Sequence, residues 1–197
     1  MSDLPASSRD VSPTRSAGPV CGIFLVGFMG AGKTTVGQAL AANLGWRFQD
    51  LDVLIEAREQ KSVPNIFRDH GEPGFRAREH AALQSILDEL HSHGHIVVAL
   101  GGGAFAQPGS ASLLRSAPFP SVFLDAPVEE LWRRCSTPDQ LERPLRRNLD
   151  DFRRLHEQRR THYLAASVHV DTSGKSVENV AREIIERIGL APKEKSW

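Results

Sequence analysis

Short apolar runs alternate with amphipathic stretches along most of this chain. Residues 21–26, CGIFLV, are continuous and apolar, the pattern of a strand covered on both faces, and a glycine-rich turn follows at once. Beyond it Val36, Ala39, Leu40 and Leu44 recur at helical spacing up to Gly45, which suits the left-handed position past a helix end. The alternation then repeats: a short strand over 46–49, a helix over 51–59, and a helical piece over 63–70 in which Pro64 suits a first helical position. Phe75, Leu83, Ile86, Leu87 and Leu90 mark one face of a longer helix ending near Gly94, and 96–100 predicts another buried strand, stopped by Gly101, Gly102 and Gly103. A fourth strand is expected over 120–124. The helix after it has Glu129 and Glu130 in its first turn and Arg133 and Arg134 at its end, the order that suits the helix dipole. Residues 135–149 are turn-rich and predict a long surface loop of the kind that serves as a lid. A helix over 150–165, a strand over 167–170 and an amphipathic helix carrying Val177, Val180, Ile184, Ile185 and Ile188 complete the pattern. Strands alternating with helices through short connections predict a parallel sheet with helices on both faces and ligands at the carboxyl ends of the strands.

The two ends fall outside this alternation. Residues 1–19 are rich in Ser, Pro, Ala and Asp and predict a disordered tail, and 192–197 predict a frayed end. That leaves 20–191 as one domain, with the lid at about 135–149. No apolar run reaches the length of a membrane span and no apolar segment follows a basic start, so neither a span nor a secretory signal is expected, and a cytoplasmic location is. The 24 basic and 24 acidic side chains cancel, which removes any overall field toward nucleic acid or an anionic membrane. The arginines between Arg133 and Arg160 lie among acidic residues such as Asp139, Glu142, Asp150, Asp151 and Glu157, and read as a salt-bridged surface plus a lid. Cys21 and Cys135 are too few for a disulfide framework and read as buried or inert thiols. A monomer is expected.

Chemistry enters at Gly27-Phe28-Met29-Gly30-Ala31-Gly32-Lys33-Thr34, which fits G-x-x-x-x-G-K-[ST] between an expected strand and an expected helix. Glycines let backbone N–H groups turn inward around phosphate oxygens, and the helix N-terminus adds partial positive charge. Lys33 would reach the β- and γ-phosphates of ATP, and Thr34 would offer its hydroxyl to Mg²⁺. Gly30, Ala31, Gly32, Lys33, Thr34 and Thr35 are therefore the nucleotide-binding candidates. Such a site also needs a carboxylate near the metal, and the strand over 96–100 ends in glycines instead. Asp50 and Asp52, just past the second strand, are the carboxylates in a suitable place. One can serve the metal and the other an acceptor, while Asp50 has the further reading of a helix cap.

Seven segments in order resemble the shikimate kinase family: GFMGAGKTT, QDLDVLIE, IFRDHGEPGFRARE, VVALGGGAF, ERPL, QRRTHY and VDTSGK, covering about 23–190. The resemblance implies a P-loop fold of the nucleoside-monophosphate-kinase type with a five-stranded parallel sheet flanked by helices. It also implies ATP and Mg²⁺ as cofactors and transfer of the γ-phosphoryl group to the 3-hydroxyl of shikimate, in aromatic amino-acid biosynthesis. Carried over residue by residue, the magnesium-associated aspartate falls on Asp50, and the acceptor-orienting aspartate, the expected base, on Asp52. The carboxylate-binding arginines fall on Arg76 and Arg159, an acidic residue of the acceptor pocket on Glu79, and the glycines lining acceptor and γ-phosphate on Gly101, Gly102 and Gly103. The lid arginine falls on Arg143 and the arginine beside the adenine on Arg134. The segment after Arg159 departs from the family pattern, with Arg160, Thr161 and His162 where a proline and an apolar residue are usual, so Arg160 stands as a rival to Arg159. A gluconate-type small-acid kinase and a non-catalytic sensing domain on the same fold are the alternative functions.

Overall fold

The apolar runs become the strands of one parallel sheet. The computed structural model describes residues 20–92, 94–135 and 148–193. Within them β1 (Gly22–Val26), β2 (Arg47–Asp50), β3 (Ile96–Ala99), β4 (Ser121–Asp125) and β5 (Val168–Asp171) lie in the order β2-β3-β1-β4-β5, every pairing parallel. This is the five-stranded sheet expected. Strands β1 and β3 are buried at every residue, which is why they read as unbroken apolar runs. In register, Leu25 pairs with Ala99 and Ala99 with Asp50, so the chain leaves β1, β2 and β3 at one edge of the sheet. That shared edge positions the site.

Helix α1 (Lys33–Leu44) stops at Gly45, whose φ of 68° and N–H bonds to the Ala41 and Ala42 carbonyls make the expected left-handed cap. Helix α2 (Leu51–Glu59) begins on Asp50, whose side chain accepts from the Asp52 N–H. The next two expected helical pieces follow each other directly as the two segments of α3 (Val63–Ser92), separated by a non-helical break at Gly71, where φ 65° and ψ −178° suit glycine alone. Phe67 and Phe75 stack across the break with ring centroids 4.5 Å apart. Pro64 is the second residue of α3, where a missing N–H costs no helical bond.

The segment PGSASLLRS forms α4 (Pro108–Ser116) after a 3-10 turn over Ala104–Ala106, a helix that the hydrophobic pattern did not predict. Its buried face is only Ser110, Ala111 and Leu114, too small and too polar to show as a period. Helices α5 (Val128–Cys135), α6 (Leu149–Tyr163) and α7 (Val177–Arg187) follow. Asn148 caps α6 through Asp151 N at 2.8 Å, and Ser176 caps α7. Strands β2, β4 and β5 sit one residue later than expected, and Trp46 lies before β2 against the His95 ring. The expected tail over 1–19, residues 194–197 of the expected tail over 192–197, and residues 136–147 of the expected lid with Arg143, lie outside the described residues. Among the described residues no helix is long and apolar enough to cross a membrane.

Candidate active site

Leaving β1, the chain turns at Gly27 with φ 150°, where a Cβ would come within 2.7 Å of the Leu124 carbonyl oxygen. At Gly30, φ 81°, a Cβ would meet the Leu131 carbonyl oxygen at 2.6 Å and Cys135 Sγ at 2.8 Å. Only glycine lets the loop lie this close to β4 and α5. Gly32 caps α1 without any side-chain bond, so the first N–H groups of the helix remain for a ligand. The charge around that terminus agrees. Helices α2, α5, α6 and α7 carry acidic residues in their first turns, whereas α1, like α3 and α4, carries none.

Lys33 Nζ donates to the carbonyls of Gly27 at 2.9 Å and Phe28 at 3.0 Å, so the ammonium rests on its own loop. Thr34 Oγ1 donates to Asp50 Oδ2 at 2.8 Å, and Asp50 Oδ1 accepts from Asp52 N at 3.0 Å. Asp50 is therefore both helix cap and partner of the phosphate loop, one oxygen for each. Two hard oxygen ligands side by side suit Mg²⁺, which takes one or two protein oxygens plus phosphates and water. No cluster of three or more His, Cys, Asp or Glu that could hold a metal occurs among the described residues. Phe28 anchors the loop from below: its ring meets Phe152 edge-on at 4.9 Å and His156 at 5.3 Å. Burial there holds the His156 imidazole below its ordinary pKa.

A cavity of about 470 Å³ opens beside this loop. Lys33, Thr34 and Asp50 line one end, and Asp52, Arg76, Glu79, Gly101, Gly102, Gly103 and Arg159 line the remainder. Residues from five separate segments thus meet in one cavity. A Cβ on Gly101 would come within 2.7 Å of Asp52 Oδ1 and 2.9 Å of Glu79 Oε1, and one on Gly103 would collide with the Arg76 guanidinium. The glycine run is what admits these charged groups to the backbone.

Glu79 is fully buried. Its Oε2 accepts from Arg76 Nη1 at 2.8 Å, while Oε1 has no hydrogen-bond partner among the described residues. Burial raises its carboxyl above the usual range against the opposing pull of Arg76. The other edge of Arg76 is held by Glu72, whose Oε1 accepts from Nε at 3.2 Å and Nη2 at 3.0 Å. Of the two rival arginines, Arg159 lines the cavity, whereas Arg160 donates to Asp125 Oδ2 at 2.7 Å. One step along a helix turns a side chain by about 100°, which is enough to send neighbours to different partners.

Arg134 does not line the cavity. It donates to Thr172 Oγ1 at 3.1 Å, the Thr172 carbonyl at 3.0 Å and Glu130 at 2.7 Å, close to Gly30 of the phosphate loop. Ala31 is buried in the loop, and Thr35 is exposed on α1. Sequence reasoning missed the apolar wall of Met29, Val53, Val63, Phe67, Phe75 and Leu100. Such residues on helices read as core, and only the 57% exposure of Val53, visible in three dimensions, sets one apart. It also missed Glu72 and Tyr163. The buried Tyr163 hydroxyl donates to the Gly102 carbonyl, and no spacing signal marks that contact.

A family model described as shikimate kinase matches residues 29–189. Shikimate kinase of Halorhodospira halophila is 44% identical over 174 residues, covering 86% of this chain and 94% of the relative. That of Geobacter metallireducens is 42% identical over 165 residues, covering 82% of this chain and 88% of the relative. Among solved structures, shikimate kinase from Acinetobacter baumannii in complex with shikimate superposes with a TM-score of 0.77 at 35% identity, covering 86% of this chain and 93% of that one. A gluconokinase from Sinorhizobium meliloti, 20% identical with a TM-score of 0.53, shares the fold alone. With phosphate loop, glycine run and arginines converging on one cavity, the chain belongs to the shikimate kinase family and is an ATP-dependent kinase with shikimate kinase activity.

Proposed function

We propose that this enzyme transfers the γ-phosphoryl group of ATP to the 3-hydroxyl of shikimate within the cavity between Lys33 and Arg159. The observation that carries this reading is the make-up of that cavity: Lys33, Thr34 and Asp50 at one end, and two carboxylates, Asp52 and Glu79, with two arginines in the remainder. Gly30, Ala31, Gly32, Thr34 and Thr35 take the phosphates through backbone and hydroxyl groups, and Lys33 moves from its loop carbonyls to the γ-phosphate. Arg134, already against Gly30, borders the adenine, and Arg143 completes the charge neutralisation. Thr34 and Asp50 hold Mg²⁺, which when bound neutralises phosphate charge. Arg76 and Arg159 hold the acceptor's carboxylate, since a planar guanidinium matches a carboxylate through two parallel bonds. Glu79 braces Arg76, and Gly101, Gly102 and Gly103 let the acceptor approach the backbone. Asp52 orients the acceptor hydroxyl and accepts its proton as the oxygen bonds to phosphorus and ADP departs. The protein works as a cytoplasmic monomer of one domain.

The test is a coupled ADP-release assay with shikimate, gluconate and a carboxamide analogue of shikimate, with and without Mg²⁺. ADP release should require Mg²⁺ and be fastest with shikimate, with a much higher KM for the carboxamide. Gluconate turning over as well as shikimate would overturn the acceptor assignment.

A further inference from the structure

A phenol buried to the extent of Tyr163, 1% exposed, costs stability unless its hydroxyl is paired. Here it is paired across the fold. The hydroxyl sits near the end of α6 and donates to the carbonyl of Gly102, in the glycine run after β3. The same point is approached by Arg159: a Cβ built on Gly102 would lie 3.5 Å from Arg159 Nη1 and 4.0 Å from the Tyr163 oxygen. A phenol offers one donor and two acceptor positions, so giving its proton to Gly102 leaves a lone pair for the guanidinium. Burial holds the phenol up at about 12, so it stays a donor at any working pH. Its ring packs on Phe123 of β4 at 5.3 Å, which fixes the hydroxyl from the sheet side.

We propose that Tyr163 is a positioning residue for the acceptor: its hydroxyl ties the Gly102 carbonyl to Arg159, fixing the glycine run and the arginine relative to each other. This rests on the reading of Arg159 as a carboxylate ligand. Tyr163 does not line the cavity. It sets where the guanidinium points, because an arginine side chain with four torsions needs a second contact to hold one orientation. Phenylalanine would fill the same volume and keep the Phe123 contact, and would release only the two polar ties.

The experiment compares Tyr163→Phe, Arg159→Lys and the double variant by steady-state kinetics. Tyr163→Phe should raise the shikimate KM about threefold to tenfold, the loss of one hydrogen bond, with ATP KM and kcat changed less than about twofold. In the double variant the two effects should fall short of their product, since the lysine no longer uses the tie. A brace that serves only folding would instead lower Tm and leave the KM split unmoved. If Arg159→Lys leaves the shikimate KM unchanged, the reading of the site fails. If Arg159→Lys raises it and Tyr163→Phe does not, the positioning role alone fails. Tyr163 is the chain's single tyrosine, so 3-fluorotyrosine incorporation gives one fluorine resonance without altering the fold. Even where Tyr163→Phe does not fold, that resonance decides: it should move in Arg159→Lys and on adding shikimate, and a resonance that ignores both overturns the proposal.

Discussion

At the end of the cavity proposed for the phosphates, the eight consecutive residues Gly27–Thr34 offer mostly backbone: the turns at Gly27, Gly30 and Gly32 and the uncapped N-terminus of α1. At the end proposed for the acceptor, side chains from α2, α3 and α6 meet the glycine run after β3, and Arg76 and Glu79 are paired in advance. Arg76 is held between Glu72 and Glu79, whereas Lys33 donates to loop carbonyls that a phosphate can replace. A phosphate is a compact, strongly charged ligand that any N-terminus of this kind attracts, so the loop can be generic. An acceptor carboxylate must be told from other anions, which takes directional donors fixed by a surrounding shell of partners. Generic recognition is local in the chain and selective recognition is assembled.

The sharpest break in this comparison comes from Lys33, proposed to act at the phosphate end through a mobile charge. Lys33→Met should reduce kcat by about a thousandfold or more while Tm moves little, because methionine preserves the stem and loses the cation at the γ-phosphate. Turnover and thermal melts on the same preparation check it. A folded variant with near-normal turnover would remove the P-loop from the chemistry.

At the acceptor end the expected effects are smaller and ligand-specific. Arg76→Lys and Arg159→Lys should each lower kcat/KM for shikimate about tenfold to a hundredfold and leave the ATP KM nearly unchanged, since a lysine cannot make the planar two-bond contact. The same variants should matter far less for an acceptor without a carboxylate. Equal losses for both acceptors would reduce these arginines to structural braces, and the contrast between the two ends would lose its chemical basis.

The same division explains how much was legible in the sequence. The phosphate loop was readable because its function and its spacing are the same thing: GFMGAGKT is contiguous, and the apolar strand before it and helix after it are its required context. The sheet was readable for a similar reason, since strands buried at every residue leave unbroken apolar runs. The roles of Asp52, Arg76, Glu79 and Arg159 became nameable through resemblance to a family, because no local pattern says that residues 52, 76 and 159 meet. Glu72, Tyr163 and the wall of Val53 and Phe67 had no signal at all. A tyrosine near a helix end and a phenylalanine on a helix face look the same whether they pack a core or border a ligand. Helix α4 was lost because its buried face is too short to form a period.

Arg159 and Arg160 are the finest case, neighbours in sequence that the fold sends to different tasks. Arg160 pairs with Asp125 at 2.7 Å, but the two side chains are 44% and 24% exposed, and solvent screens such a pair to about 1 kcal/mol or less. Lysine keeps the charge at that position and can still approach Asp125, so little depends on the planar fork there. Arg160→Lys should therefore change kcat/KM for shikimate by less than about twofold, against the loss of about tenfold or more expected at Arg159. Its Tm should fall by no more than about 2–4 °C, the shift that 1 kcal/mol produces in a chain of this size. Kinetics and melts of Arg159→Lys and Arg160→Lys measured side by side decide the matter. A large loss at 160 with none at 159 would mean that α6 is rotated by one residue in the working enzyme. The acceptor's carboxylate would then lie on the Asp125 side of the helix, and the tie through Tyr163 would have to be redrawn with it.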